Sequence, residues 1–287
     1  MADRIPLSPL RYPGGKTRFV PHLLDWLGER RFDAVVEPFA GGASVGLGML
    51  RAGVVEETFL SDADRLVSSF WMSAAFHTRS LIETMFAEPV TVARWKHWKA
   101  SSEDDMDMLG RALAALFLNR TSFSGLIRHG SVLGGVNQDE VIAAGGNVKY
   151  PVGCRFNKES LAESIRRIGQ WQDEGRLHAK HADYRCALQG VSGNVMVYLD
   201  PPYVDKSNEL YGHCFDVDDH KALAETVLEL DVPFVLSYDD VPLVRALYEG
   251  EEGVHILKPA WAYGMGKSKT SREILITNIE GDTDVFG

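Results

Sequence analysis

The chain has 287 residues, 45% of them hydrophobic, enough to bury the core of one large domain or of one domain carrying an insert. Acidic residues outnumber basic ones, 40 to 30, and the formal charge of −10 argues mildly against a nucleic-acid partner without excluding a basic face on an acidic body. No run approaches the roughly 18 apolar residues of a membrane span, and MADRIPLSPLRYPGGK at the start lacks the apolar centre of a signal peptide. Cys154, Cys186 and Cys214 form no Cys-x-x-Cys pair, so the expectation is a cytoplasmic, membrane-independent protein without a disulfide framework or a cysteine metal site.

In chain order, DAVVEPF (33–39) is an apolar run that meets a glycine turn, and GGASVGLGMLRAG continues with helical spacing. EETFLSD (56–62) reads as a second strand closing on Asp62, with ADRLVSSFWMSAAF as the helix behind it. From about Ser80 to Thr121 the patterns are helical, and 122–157 is rich in glycine, asparagine and polar residues. That stretch reads as a loop or hairpin region, long enough to be a functional excursion. NVMVYLD (194–200) and VPFVLSYDD (232–240) are buried strands separated by the helical DDHKALAETVLEL, and EGVHILKP (252–259) and REILITN (272–278) are the last two strands. Strands alternating with helices predict an α/β fold with a mainly parallel sheet and ligands beyond the carboxyl ends of its strands. The helical middle, 67–158, reads as an insert splitting a domain made of 1–66 and 159–287.

Two stretches carry chemistry. VVEPFAGGASVG places a glycine-rich turn between strand and helix, where backbone can approach a ligand. It does not match Gly-x-Gly-x-x-Gly, yet Asp62 follows at about the 20-residue interval at which an acid meets ribose hydroxyls. An adenosine-containing ligand and a purely structural turn both fit it. The second stretch is sharper: the buried strand NVMVYL runs into Asp200, Pro201, Pro202 and Tyr203. Two prolines stiffen the chain and donate no N–H, so a rigid carboxylate and accepting carbonyls stand at the sheet edge beside an aromatic ring. Such a site suits an exocyclic aromatic amine, whose lone pair is localised when both protons are held, and Tyr203 offers the flat base a stacking surface. His213, Cys214 and His220 offer no evident third ligand at metal spacing; a capping or surface role is the expectation for them, and no metal is expected.

DPPY together with RYPGGK (11–16), EPFAGGASV (37–45) and LSDAD (60–64), in this order, resembles the Dam-like, D12 class of DNA adenine-N6 methyltransferases. The resemblance touches most of the chain. It implies a Rossmann-like, S-adenosylmethionine-dependent fold with a helical target-recognition insert, acting on double-stranded DNA with base flipping. It implies cofactor contacts from Tyr12 and Lys16, a wrap around the methionine part from Pro38, Phe39, Ala40, Gly41, Gly42, Ala43 and Ser44, and ribose contact from Asp62. Asp183 and Tyr184 would flank the cofactor adenine, Tyr211 would lie near the cofactor, and Asp200 would touch both cofactor and target amine. In FLNRTSFSGLIR (117–128) it implies Arg120 on phosphate, Phe123 wedged into the base stack beside Ser124, and Arg128 reading guanine; small residues and arginines around an aromatic suit that role independently. Lys267 and Lys269 sit in a basic segment (261–273) that resembles a DNA-backbone loop. Beyond Arg128 the sequence departs from Dam itself, which leaves the target sequence open.

A monomer is expected, with a restriction endonuclease as an optional partner. Rival readings are methylation of cytosine N4 or of an RNA adenine, a catalytically silent DNA-binding protein on the same scaffold, and a nicotinamide-dependent oxidoreductase, which the missing Gly-x-Gly-x-x-Gly disfavours.

Overall fold

The computed structural model describes residues 7–11, 15–204, 215–258 and 273–281. Helix α1 (Val20–Leu27) precedes β1 (Phe32–Glu37), α2 (Ser44–Ala52), β2 (Val55–Asp62) and α3 (Arg65–Phe76). A helical stretch follows: α4 (Thr78–Ala87), α5 (Val92–Ala100), α6 (Met108–Thr121), the short α7 (Gln138–Ala143) and α8 (Lys158–Asp173). Then come β3 (Leu177–His181), α9 (Tyr184–Leu188), β4 (Val195–Leu199), α10 (Val217–Leu228), β5 (Phe234–Asp239), α11 (Pro242–Tyr248), β6 (His255–Leu257) and β7 (Glu273–Thr277).

The strands order as β3-β2-β1-β4-β5-β7-β6 in one sheet. β1 pairs in parallel with β2 and β4, β4 with β5, and β7 runs antiparallel to both β5 and β6. The α/β, mainly parallel expectation therefore holds, and the reason is in the residues. Met196, Val197, Tyr198 and Leu199 of β4 and all six residues of β5 are buried, as central parallel strands covered on both faces must be. Truncating one of these, such as Leu199, to alanine costs roughly 2–5 kcal/mol.

By compactness the chain divides into residues 14–61 with 182–287, and residues 1–13 with 62–181. The first unit has an apolar core that joins β1, β4, β5 and β7 to α10 and α11 through Val36, Val197, Leu199, Leu223, Leu236, Val244 and Ile274. The antiparallel turn-back of β7 places Glu273 opposite Asp239, so the start of β7 lies at the end where β5 finishes.

The second unit is built around α6. Every residue from Ala112 to Thr121 is buried, so this helix is covered on all sides rather than presenting one apolar stripe. The polar residues that end it, Asn119, Arg120 and Thr121, are consequently inside as well. The region 122–157 keeps one isolated bridge, Ser122 to Val132, a 3-10 turn at Phe123–Gly125 and the short α7.

Candidate active site

β4 ends on Leu199 and the chain leaves it through Asp200-Pro201-Pro202-Tyr203. The residue that organises this corner is Lys16, 3% exposed, in a 3-10 turn (Lys16–Arg18). Its Nζ lies 3.0 Å from Asp200 Oδ1, donates to the Tyr203 hydroxyl at 2.8 Å, and sits 3.9 Å from Glu273 Oε1. It also stands 5.3 Å from the centroid of the Tyr203 ring. The Tyr203 hydroxyl also shares a hydrogen bond with Ser237 Oγ, 3.1 Å away. Burial, reinforced by the charges of Asp200 and Glu273, raises the Tyr203 pKa well above its ordinary value and keeps the phenol protonated. The Asp200 side chain is 24% exposed, so one carboxylate oxygen is fixed by an internal cation while the group still reaches the surface. Asp239, closing β5, accepts from the Val204 N–H at 3.3 Å and ties down the exit of the turn.

The same edge carries the glycine loop. Pro38 and residues 40–43 are buried, and Ala43 adopts φ 48°, a left-handed conformation unusual for a residue with a Cβ and frequent at ligand clamps. Ala40 donates its N–H to Ser61 O at 2.9 Å, and Ser44 opens α2 with its hydroxyl 3.2 Å from Thr17. The buried Glu37 carboxylate accepts from the Gly46 N–H at 2.8 Å, inside the first turns of α2. A Cβ on Gly46 would stand 2.5 Å from Thr58 Oγ1 and 2.7 Å from Glu37 Oε2, so only glycine permits this approach. Gly46→Ala is therefore expected to destabilise the fold by roughly 1–3 kcal/mol, seen as an earlier urea midpoint with unchanged slope.

Phe39 stacks on Tyr184 at 5.6 Å and meets Phe215 edge-on at 5.9 Å. Asp183 caps α9 by accepting from Cys186 N at 2.9 Å, which fixes the start of that helix. Asp62 closes β2 and accepts from Asp64 N at 2.9 Å.

Within the helical unit, Phe123 is 60% exposed on a short 3-10 turn (Phe123–Gly125). The turn is anchored by Phe123 N to Ser131 O at 2.7 Å and by Trp95 Nε1 to Ser122 Oγ at 3.0 Å. Ser124 carries φ 57°, and Gly125, at φ 78°, lies against Arg11 O where a Cβ would come within 2.5 Å. Strained backbone and a rigid base thus present an apolar ring to solvent, the opposite of what burial would favour.

Arg120 lies inside the helical unit. It is only 8% exposed, its Nε donates to Pro9 O at 2.6 Å, and burial followed by the like charges of Arg11 and Arg155 lowers its pKa to about 10. The reason is the all-round burial of α6. Arg11, Arg120 and Arg155 form a like-charged cluster, and Arg11 Nη1 is buried with no hydrogen-bond partner among the described residues. Arg128 is held by Asp64 and Glu103. His220 is a correction: it is 1% exposed rather than on the surface, and its Nδ1 meets the Tyr238 hydroxyl. Tyr12, Tyr211, Lys267, Lys269, His213 and Cys214 lie outside the described residues.

Glu37 opens the EPFAGGASV motif, whereas Ser237, Phe215 and Glu273 are not among the candidate residues that the sequence singles out. Glu273 could have been found from topology alone, since a last strand antiparallel to β5 must begin where β5 ends.

The strand order and an acid braced by prolines at the end of β4 define a Rossmann-like α/β methyltransferase fold. Residues 12–265 match the family of D12 class N6 adenine-specific DNA methyltransferases, and the chain belongs to that family. Its activity is adenine-N6 methylation of DNA. Relatives include the Type II methyltransferase M1.LlaDCHI of Lactococcus lactis subsp. cremoris, 23% identical over 96% of this chain and 97% of that protein. The DNA adenine methylase of Vibrio cholerae is 27% identical over 85% of each chain. The DNA N-6-adenine-methyltransferase of Escherichia phage P1 is 26% identical over 84% of this chain and 31% of its own length. Among the described residues no helix is long and apolar enough to cross a membrane.

Proposed function

We propose that Asp200, fixed by Lys16, grips the N6 amine of an adenine flipped out of double-stranded DNA, with S-adenosylmethionine as the methyl donor. The observation that carries this reading is the 3.0 Å Lys16–Asp200 pair at the end of β4, which holds an acceptor rigidly where a parallel sheet collects its ligands. The donor supplies an electrophilic methyl on a sulfonium whose leaving sulfur departs neutral. The residues fit it: Tyr184, stacked on Phe39, and Asp183 would flank its adenine, Asp62 would take its ribose hydroxyls, and Pro38–Ser44 would wrap its methionine part.

Asp200 and the Pro201 carbonyl each accept one N6 proton, which draws the nitrogen toward pyramidal geometry and localises its lone pair. Catalysis is then mainly positioning and electrostatics. Tyr203 supplies the ring against which the base rests, and its hydroxyl, held by Lys16 and Ser237, keeps that ring in place. Tyr203→Phe should therefore cost about tenfold in kcat and Tyr203→Ala about a hundredfold or more, read by tritiated methyl transfer.

Target recognition is placed within 67–158 and the chemistry on 1–66 and 159–287. Phe123 is the wedge, with Ser124 beside it, and Arg128 the guanine contact. Arg120 acts with Arg11 and Arg155 as a positive cluster to which a phosphate is attracted, rather than as an exposed side chain. Phe123→Ala is expected to weaken duplex binding by about 1–3 kcal/mol and to suppress the fluorescence rise of 2-aminopurine at the target position. The protein is read as a cytoplasmic monomer, and a companion restriction endonuclease is compatible with this reading. Mass analysis of nucleosides from treated DNA tests the whole: N6-methyladenine is expected, whereas N4-methylcytosine, or methylation of RNA alone, would overturn it.

A further inference from the structure

Arg128 is anchored at both ends. Lys99 Nζ donates to the carbonyls of Ile127, at 3.4 Å, and of Arg128 itself. At the tip, Nε donates to Asp64 Oδ2 at 3.0 Å and Nη2 to Asp64 Oδ1 at 2.9 Å, while Nη1 and Nη2 both donate to Glu103, the latter at 3.2 Å. A guanidinium has five N–H donors, and these contacts occupy four of them, filling both its side-on and its end-on faces. Bidentate reading of guanine O6 and N7 needs two adjacent donors. The arginine in this state has only one left, so it cannot read a base until a carboxylate lets go.

The two carboxylates are not equivalent. Asp64 is the N-cap of α3, its Oδ1 accepting from Leu66 N at 2.8 Å and Val67 N at 3.3 Å, so its position is set by the helix. Glu103 begins a short 3-10 turn (Glu103–Asp105), its carboxylate contacts only Arg128 among the described residues, and it borders a cavity of about 450 Å³ also lined by Trp98 and Lys99. Burial alone would lower the Arg128 pKa, but the bonds from Glu103 and Asp64 more than offset it and raise the value, so the group stays charged throughout.

We propose that Glu103 is a gate on Arg128: it occupies the end-on face in the DNA-free protein and turns away when guanine takes that face, while Asp64 keeps the side-on face and holds the arginine in aim. Asp64 and Glu103 are thus positioning residues of opposite sign, and the proposal rests on the reading of Arg128 as the guanine contact. A carboxylate occupying the recognition fork taxes every DNA contact that arginine makes, so the protein does not commit it to phosphates while scanning.

The test is a double-mutant cycle read by fluorescence anisotropy on a labelled duplex containing the methylated sequence, identified by sequencing DNA from a host that lacks its own adenine methylation. Glu103→Gln should tighten binding by about 3–10-fold, and the same change in an Arg128→Ala background by less than about twofold. Asp64→Asn, which keeps an N-capping side chain, should weaken binding by a comparable factor. A loss of affinity in Glu103→Gln, or an equal gain in both backgrounds, would overturn the gate, since the first marks a buttress and the second a mere change in net charge. If Arg128→Ala alone left affinity and site choice unchanged, the guanine reading itself would fall, a result distinct from failure of the gate.

Discussion

Asp200→Asn should lower single-turnover methyl transfer by about 10²–10³-fold or more while duplex and donor affinities stay within a few-fold of wild type. The asparagine keeps an oxygen facing Lys16 Nζ, now 3.0 Å from Asp200 Oδ1, so the corner remains satisfied and the loss reports chemistry rather than folding. What disappears is the anionic acceptor for the N6 protons, which is needed most when the nitrogen takes on positive charge. Asp200→Ala is the harsher form: it also removes the partner of a lysine 3% exposed, so abolished methylation should come with a measurable loss of stability. Near-normal turnover in either variant would remove Asp200 from the mechanism.

The second large effect is expected at Lys16. Lys16→Met replaces a buried cation by an apolar chain of similar length and withdraws the donor from both Asp200 and Tyr203. Breaking a fully buried ion pair costs about 3–5 kcal/mol, and because the Asp200 side chain is 24% exposed the cost here should fall to roughly 1–3 kcal/mol. The catalytic loss should exceed what that stability change explains: about a hundredfold or more in kcat with duplex affinity little altered, since Lys16 orients the acceptor rather than the DNA. Lys16→Arg will not rescue, because a planar fork cannot point one donor at a carboxylate and another at a phenol across so short a span. Wild-type kcat in Lys16→Met, in the presence of saturating donor, would reduce Lys16 to a structural role.

How much of this was written in the chain is uneven. The central strands were legible because β4 and β5 are buried on both faces and therefore read as unbroken apolar runs. Asp200-Pro201-Pro202-Tyr203 was legible because prolines declare their backbone restrictions locally. β3 was not: Leu177-His-Ala-Lys-His is half polar and lies at one end of the strand order, so it lacks the apolar signal. The burial of Arg120 was not legible for a related reason. Asn119, Arg120 and Thr121 are a polar triplet after an apolar run, and only packing on every side of α6 shows that they stay inside. The partners of Lys16 were half visible, Asp200 by motif and Glu273 only once β7 was known to turn back. The carboxylates on Arg128 come from segments 64 and 25 residues away, a pairing that no local pattern encodes.

The most direct trial of the central claim is a crystal structure of the protein with a duplex containing its target adenine and a non-reactive analogue of the methyl donor. The account requires the adenine outside the helix, its N6 about 3 Å from the Asp200 carboxylate and from the Pro201 carbonyl, with Lys16 still bound to Asp200. An adenine left stacked in the duplex beside bound analogue, or an everted base whose amine is held by other groups while Asp200 faces only Lys16, would contradict it.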